Sequence, residues 1–125
     1  MENRSIFGCR VLVVEDQFWI AEMISRILEN AGYEVVGPAN TVQSCLTLIE
    51  ERTIDVAILD INLGAEMSYV AADALIAQGV PIIFVTGYQY HDLPQQYHAV
   101  PLLAKPTTPR RLLHAIARLL GAERT

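Results

Sequence analysis

Five residues of this chain could do chemistry together: Glu15, Asp16, Asp60, Thr86 and Lys105. Each follows directly, or within two residues, on a short apolar run: Val-Leu-Val-Val at 11–14, Val-Ala-Ile-Leu at 56–59, Ile-Ile-Phe-Val at 82–85 and Val-Pro-Leu-Leu at 100–103. If those runs are strands of an open parallel sheet, the five side chains meet at the strands' carboxyl ends, where such sheets bind ligands. Three carboxylates crowded together stay ionised only if positive charge joins them. Lys105 supplies one charge, and a hard divalent cation meets the remaining demand. Mg²⁺ commonly takes one or two carboxylates while keeping waters and a phosphate oxygen. Asp16 and Asp60 are expected to give direct oxygens, the Asn62 backbone carbonyl a third, and Glu15 to act through a water. Asp60 could then attack a phosphoryl group to form an acyl phosphate, with Lys105 and Thr86 neutralising the equatorial oxygens.

The elements that would position these residues are legible as a repeating pattern. Besides the four runs above, Val35 and Val36 mark a further strand, and β-branched residues dominate throughout. Between the strands, helical spacing appears in three sets: Ile20, Met23, Ile24, Ile27 and Leu28; Val42, Cys45, Leu46 and Ile49; and Met67, Val70, Ala71 and Ala74. A last set, Leu112, Leu113, Ile116, Ala117 and Leu120, follows the fifth strand. Gly32, Gly79 and Gly121 fall just past helix ends, and Thr108 with Pro109 opens the last helix as cap and first position. Strands that are continuously apolar are buried on both faces, which predicts a doubly wound α/β fold with helices on each side of a parallel sheet. Residues 88–99 carry no apolar stripe, so the fourth helix is expected to be short or irregular. Length and a 52% hydrophobic composition predict one domain over residues 1–125.

Joined in this order, Val-Val-Glu-Asp at 13–16, Leu-Asp-Ile-Asn-Leu at 59–63, Val-Thr-Gly at 85–87 and Lys-Pro at 105–106 resemble the receiver domains of bacterial two-component response regulators. The resemblance spans essentially the whole chain. It implies a five-stranded sheet in the flavodoxin-like order 2-1-3-4-5, with Asp60 as phosphoacceptor, Glu15 and Asp16 as the acidic pair, Thr86 as switch hydroxyl and Lys105 as phosphate-sensing lysine. It also implies a cis Lys105–Pro106 peptide, and a sensor histidine kinase or histidine phosphotransfer protein as donor. Leu102 departs from the family, which usually carries Tyr or Phe there. Phe84-Val85-Thr86-Gly87-Tyr88 looks like the Phe-X-Thr-Gly-Tyr variant of receivers, which gives Tyr88 the switching role. The implied output is contact with a further, unidentified protein, or service as a phosphate sink.

Other readings compete. Asp16 could cap the helix that begins near Gln17, and Asp60 could be an ordinary turn residue. A phosphatase with an aspartate nucleophile would resemble Asp-X-Asp, but position 62 is Asn, so that reading lacks a general acid; a receiver-like binding module that is never phosphorylated is a further alternative. Phe18 reads as a staple of the first helix to the sheet, while Trp19 fits a staple or a partner contact equally. Tyr88, Tyr90 and Tyr97 suit loop packing or a contact surface, and His91, His98 and His114 read as surface residues. The net charge of −5 disfavours direct nucleic-acid binding, and Arg110, Arg111 and Arg118 read as a solvated helix face. Cys9 and Cys45 lack metal or CxxC spacing, and no signal peptide is evident, which predicts a reducing, cytoplasmic setting. No apolar run approaches the roughly 20 residues that span a bilayer.

Overall fold

The computed structural model describes residues 8–89 and 92–121; the readings made for Tyr90 and His91, and the outer limits of the domain, lie outside them. Strand β1 (Arg10–Val14) leads to α1 (Phe18–Asn30), β2 (Glu34–Ala39), α2 (Val42–Glu51), β3 (Val56–Leu59), α3 (Tyr69–Ala77) and β4 (Ile82–Thr86). A 3₁₀ turn (Gln95–Tyr97) then precedes β5 (Leu102–Ala104) and α4 (Pro109–Leu119). All strand pairs are parallel, in the order β2-β1-β3-β4-β5. The expected doubly wound sheet and the reduced fourth helix are both present.

Alternation along each strand divides the core in two, because successive side chains point to opposite faces. Val11 and Val13 of β1, Ile58 of β3, and Ile83 and Val85 of β4 pack with Ile24 and Leu28 of α1 and Leu112 and Ile116 of α4. Leu12, Val14, Leu59 and Phe84 face the other way, onto Cys45 and Ile49 of α2 and Ala71, Ala72 and Leu75 of α3. Burying one such side chain stabilises the fold by about 1.5–3 kcal/mol. Helix ends follow the chemistry read from the sequence. Thr108 Oγ1 accepts from the Arg111 N–H at 3.2 Å, and Gly32, Gly79 and Gly121 adopt φ of 97°, 77° and 70° past their helices.

Several expectations need correction. Phe18 does not staple α1 to the sheet: it is 69% exposed, and its ring meets Trp19 edge-on at 5.6 Å. Trp19 is 81% exposed, so it is no staple either. Met23 is also exposed, leaving Ile24 and Leu28 as the buried stripe of α1. On α3 the buried face is Ala71, Ala72 and Leu75, whereas Val70 is exposed, as is Met67, which precedes the helix. The last strand begins at Leu102, two residues later than the apolar run suggested. Pro101 ends that run's ambiguity by giving only its carbonyl, which accepts from the Phe84 N–H at 2.9 Å.

The connection through residues 92–100 is better anchored than its polar composition implies. Leu93 and Tyr97 are buried. The Tyr97 ring stacks on Tyr69 at 4.8 Å and meets Phe84 edge-on at 5.9 Å, and its hydroxyl donates to Asp73 Oδ1 at 2.6 Å. Burial first, then the Asp73 carboxylate, push the Tyr97 phenol up to about 12. Tyr97 is therefore a packing residue.

Candidate functional site

The carboxyl ends of β1, β3, β4 and β5 bring the five predicted side chains into one place. Strand pairing does this directly: the Asp60 N–H donates to the Val14 carbonyl at 2.9 Å, and the Lys105 N–H to the Thr86 carbonyl at 2.9 Å. Lys105 Nζ lies 2.6 Å from Asp60 Oδ2 and 2.9 Å from Glu15 Oε1. Glu15, Asp60 and Thr86 are buried, and Asp16 is half-buried. The Lys105–Pro106 peptide is cis, as the resemblance implied, and Gly37–Pro38 is a second cis bond. A cavity of about 390 Å³ opens above this floor, with Asp16, Asp60, Asn62, Thr86 and Tyr88 in its wall.

The charges in this site lean on one another. Burial pushes the Glu15 carboxyl up, against the opposing pull of Lys105 and of the Gln17 N–H that donates to Glu15 Oε2 at 3.1 Å. Burial alone would lower Lys105, but its hydrogen bonds to Asp60 and Glu15 outweigh that and hold the ammonium above its ordinary value. One oxygen each from Glu15, Asp16 and Asp60 lies within 4.8 Å of the others. Among the described residues no hydrogen bond or ion pair engages the Asp16 carboxylate, so a cluster of three acids has a single cation and one uncommitted acid. That donor set, all hard oxygen, fits a small divalent cation.

Local sequence explains how the loop after β3 serves the site. Asn62 is exposed and closes the turn, its Oδ1 accepting from the Gly64 N–H at 2.8 Å, while its own N–H donates to Asp60 Oδ1 at 3.3 Å. Gly64 has φ of 84°, and a Cβ there would stand 3.3 Å from Asp16 Oδ2, so glycine serves both the turn and the space beside the acid. Thr86 Oγ1 accepts from the Tyr88 N–H at 3.2 Å. Tyr88 is half-buried, with its hydroxyl 4.0 Å from Met67 Sδ. The capping alternative for Asp16 does not hold, because Gln17 occupies the cap position of α1 and no side chain caps it. His98 is exposed and pairs through Nε2 with the Leu93 carbonyl at 2.9 Å; His114 is exposed on α4.

A profile described as the response regulator receiver domain matches residues 11–117. The chain belongs to that family. Receiver domains are signalling domains of two-component systems rather than classical enzymes, and they generally bind Mg²⁺ at an acidic cluster. This receiver domain is 36% identical to SdrG from Sphingomonas melonis, whose solution structure superposes with a TM-score of 0.78 over 94% of this chain and 99% of that one. A CheY-like receiver from Methanospirillum hungatei is 30% identical, with a TM-score of 0.80 over 90% and 94% of the two chains. The transcriptional regulatory protein PdtaR of Mycobacterium tuberculosis is 30% identical over 111 residues, 86% of this receiver domain. The receiver domain spans 54% of PdtaR, about half the length of that curated relative. Among the described residues no helix is long and apolar enough to cross a membrane.

The sequence reading missed Ser68. This residue is completely buried, and its hydroxyl donates to the Asp60 carbonyl at 2.7 Å. Serine just before an apolar helical run reads from sequence as an ordinary cap, and no local signal distinguishes the two uses. It also missed Glu66, whose Oε2 accepts from the Val42 N–H at 3.0 Å and ties the loop after β3 to the start of α2.

Proposed function

We propose that this receiver domain accepts a phosphoryl group on Asp60 from a phosphohistidine of a sensor kinase or histidine phosphotransfer protein. One observation carries the reading: the Asp60 carboxylate is held by Lys105, which also grips Glu15, lies beside Glu15 and Asp16, and faces a cavity that Thr86 also lines. An Asp60 oxygen attacks phosphorus, the P–N bond breaks, and the leaving imidazole nitrogen keeps the electron pair and takes a proton from water. Lys105 and the Thr86 hydroxyl then hold phosphoryl oxygens. Asp16 and Asp60 directly, the Asn62 carbonyl, and Glu15 through a water would hold Mg²⁺, which when bound neutralises charge on the transferring group. Supporting this, a BeF₃-activated solution structure of SdrG superposes with a TM-score of 0.76 over 89% of this chain, with 38% identity across that shorter overlap. Incubation with phosphoramidate and Mg²⁺ is expected to add one phosphoryl group by intact mass, and EDTA to suppress it. Equal uptake with and without EDTA contradicts the metal assignment; no uptake in Mg²⁺ contradicts the acceptor assignment.

The phosphorylated state is read out, in this proposal, through Thr86 and Tyr88 to an unidentified downstream protein, in the cytoplasm. Thr86 and Tyr88 already share a hydrogen bond, so a phosphoryl oxygen that draws the Thr86 hydroxyl also pulls on the Tyr88 backbone. Hydrogen exchange with and without Mg²⁺ and beryllofluoride is expected to change most within residues 86–105. Changes confined to the loops around Glu15 and Asp60 would move the switch elsewhere.

A further inference from the structure

Ser68 stands at the cap position of α3 and does not cap it. A serine there ordinarily accepts a hydrogen bond from a backbone N–H of the first helical turn, with its own backbone extended. Here φ is −88° and ψ is 11°, and no side-chain cap bond forms. The hydroxyl instead donates to the Asp60 carbonyl at 2.7 Å, while the Ser68 N–H donates to the Ile61 carbonyl at 2.8 Å. Two successive carbonyls at the end of β3 are thus held by one buried residue.

The place of that bond gives it meaning. β3 ends at Leu59, which pairs with Phe84 as the last rung of the β3–β4 ladder. Asp60 lies one residue beyond, its N–H fixed by the Val14 carbonyl. Ser68 supplies the partner for the carbonyl that the ladder no longer reaches, so the backbone of residue 60 is held at both ends. A buried carbonyl without a donor is unfavourable and turns toward one. Turning the peptide between Asp60 and Ile61 shifts the Asn62 N–H that contacts Asp60 Oδ1, and with it the carboxylate that Lys105 grips. Displacements of about 1 Å in a reacting group cost on the order of 10²-fold in rate.

We infer that Ser68 is a positioning residue for phosphoryl transfer, its hydroxyl fixing the Asp60 peptide and so the direction of the attacking carboxylate; this rests on the acceptor role proposed above for Asp60. The test compares wild type, Ser68→Ala, Ser68→Thr and Tyr97→Phe for phosphoramidate uptake with Mg²⁺, together with melting temperature and the backbone ¹⁵N shift of Ile61. Tyr97→Phe removes the hydrogen bond to Asp73 of α3 without touching the Asp60 peptide, so it separates a loosened α3 from a displaced acceptor.

Ser68→Ala is expected to slow uptake at saturating donor by about tenfold or more, with half-saturation within about twofold, and to shift the Ile61 resonance. Ser68→Thr keeps the hydroxyl and should recover to within about threefold of wild type. Tyr97→Phe should lower the melting temperature and keep the wild-type rate. A folded Ser68→Ala protein with the wild-type rate overturns the inference, as does a Ser68→Thr protein as slow as Ser68→Ala, or a Tyr97→Phe protein slowed as much. If Ser68→Ala does not fold, Ser68→Cys, with a weaker donor of similar size, should be intermediate in rate; full wild-type rate there overturns the inference. Wild type that takes up no phosphoryl group sinks the acceptor reading and this one together, whereas uptake unaltered by the Ser68 variants sinks this one alone.

Discussion

Asp60→Asn is expected to take up no phosphoryl group from phosphoramidate under conditions in which the wild type is modified. The amide matches the carboxylate in size and keeps an oxygen to accept the Asn62 N–H, so the loop after β3 retains its turn. What it loses is the nucleophile. The amide NH₂ also brings a donor opposite the Lys105 ammonium, which sits 2.6 Å from Asp60 Oδ2 in the native protein. The variant should therefore fold, with a melting temperature in EDTA close to that of wild type, because removing one of three clustered acids offsets the lost contact to Lys105. Intact mass and peptide mapping decide the matter. Label at an unchanged level in Asp60→Asn would assign the acceptor to another residue.

Replacing Lys105 with methionine should cut uptake at Asp60 by roughly 10²-fold or more, the scale seen when one preorganised donor to a developing charge is removed. The same change should tighten Mg²⁺ binding, by about tenfold or more, since the cluster of Glu15, Asp16 and Asp60 then loses its competing cation. Opposite signs for the two readouts separate a lysine that stabilises the transferring phosphoryl group from one that merely balances charge. A titration followed by melting temperature, which rises by mass action as the ligand binds the folded state, measures the second effect beside the first. If uptake stays within about fivefold of wild type while metal affinity rises, Lys105 acts as a counter-ion and nothing more.

The sheet was readable because a central strand buried on both faces is apolar along its length between its ends, as Val11–Val14 of β1, Val56–Leu59 of β3 and Ile82–Val85 of β4 are. The site was readable for a related reason: where such a strand stops, the first polar side chain must stand at the sheet's edge, as Glu15 and Asp60 do, and Lys105 joins them from the end of the neighbouring edge strand β5. α3 was misread in its facing because Tyr-Val-Ala-Ala-Asp-Ala-Leu-Ile-Ala is apolar nearly all round, so periodicity cannot choose between Val70 and Leu75. Tyr97 suited loop packing and a contact surface equally, and the choice of packing depends on Tyr69, Phe84 and Asp73, which only the fold brings near. Phe18 looked like an anchor because it opens an amphipathic helix, but it is exposed and its ring meets Trp19 rather than the sheet. Ser68 is the hardest case, since its hydroxyl could serve its own helix or a distant carbonyl, and that choice belongs to three dimensions.

The short turn from Thr86 to Tyr88 gives the cavity a polarity of its own. A hydroxyl has two lone pairs and a single hydrogen. The Tyr88 N–H, 3.2 Å away, takes a lone pair of Thr86 Oγ1, and this steers the hydrogen away from that N–H. An incoming oxygen that bears negative charge meets a hydrogen free to donate; an ammonium or amide finds one of the two lone pairs already taken. The side chain is biased toward donating, and it needs no charge of its own to do so. Serine at position 86 would keep that sense, and valine, equal in shape, would erase it. Preference for an anion at this wall thus arises from a backbone amide two residues along the chain.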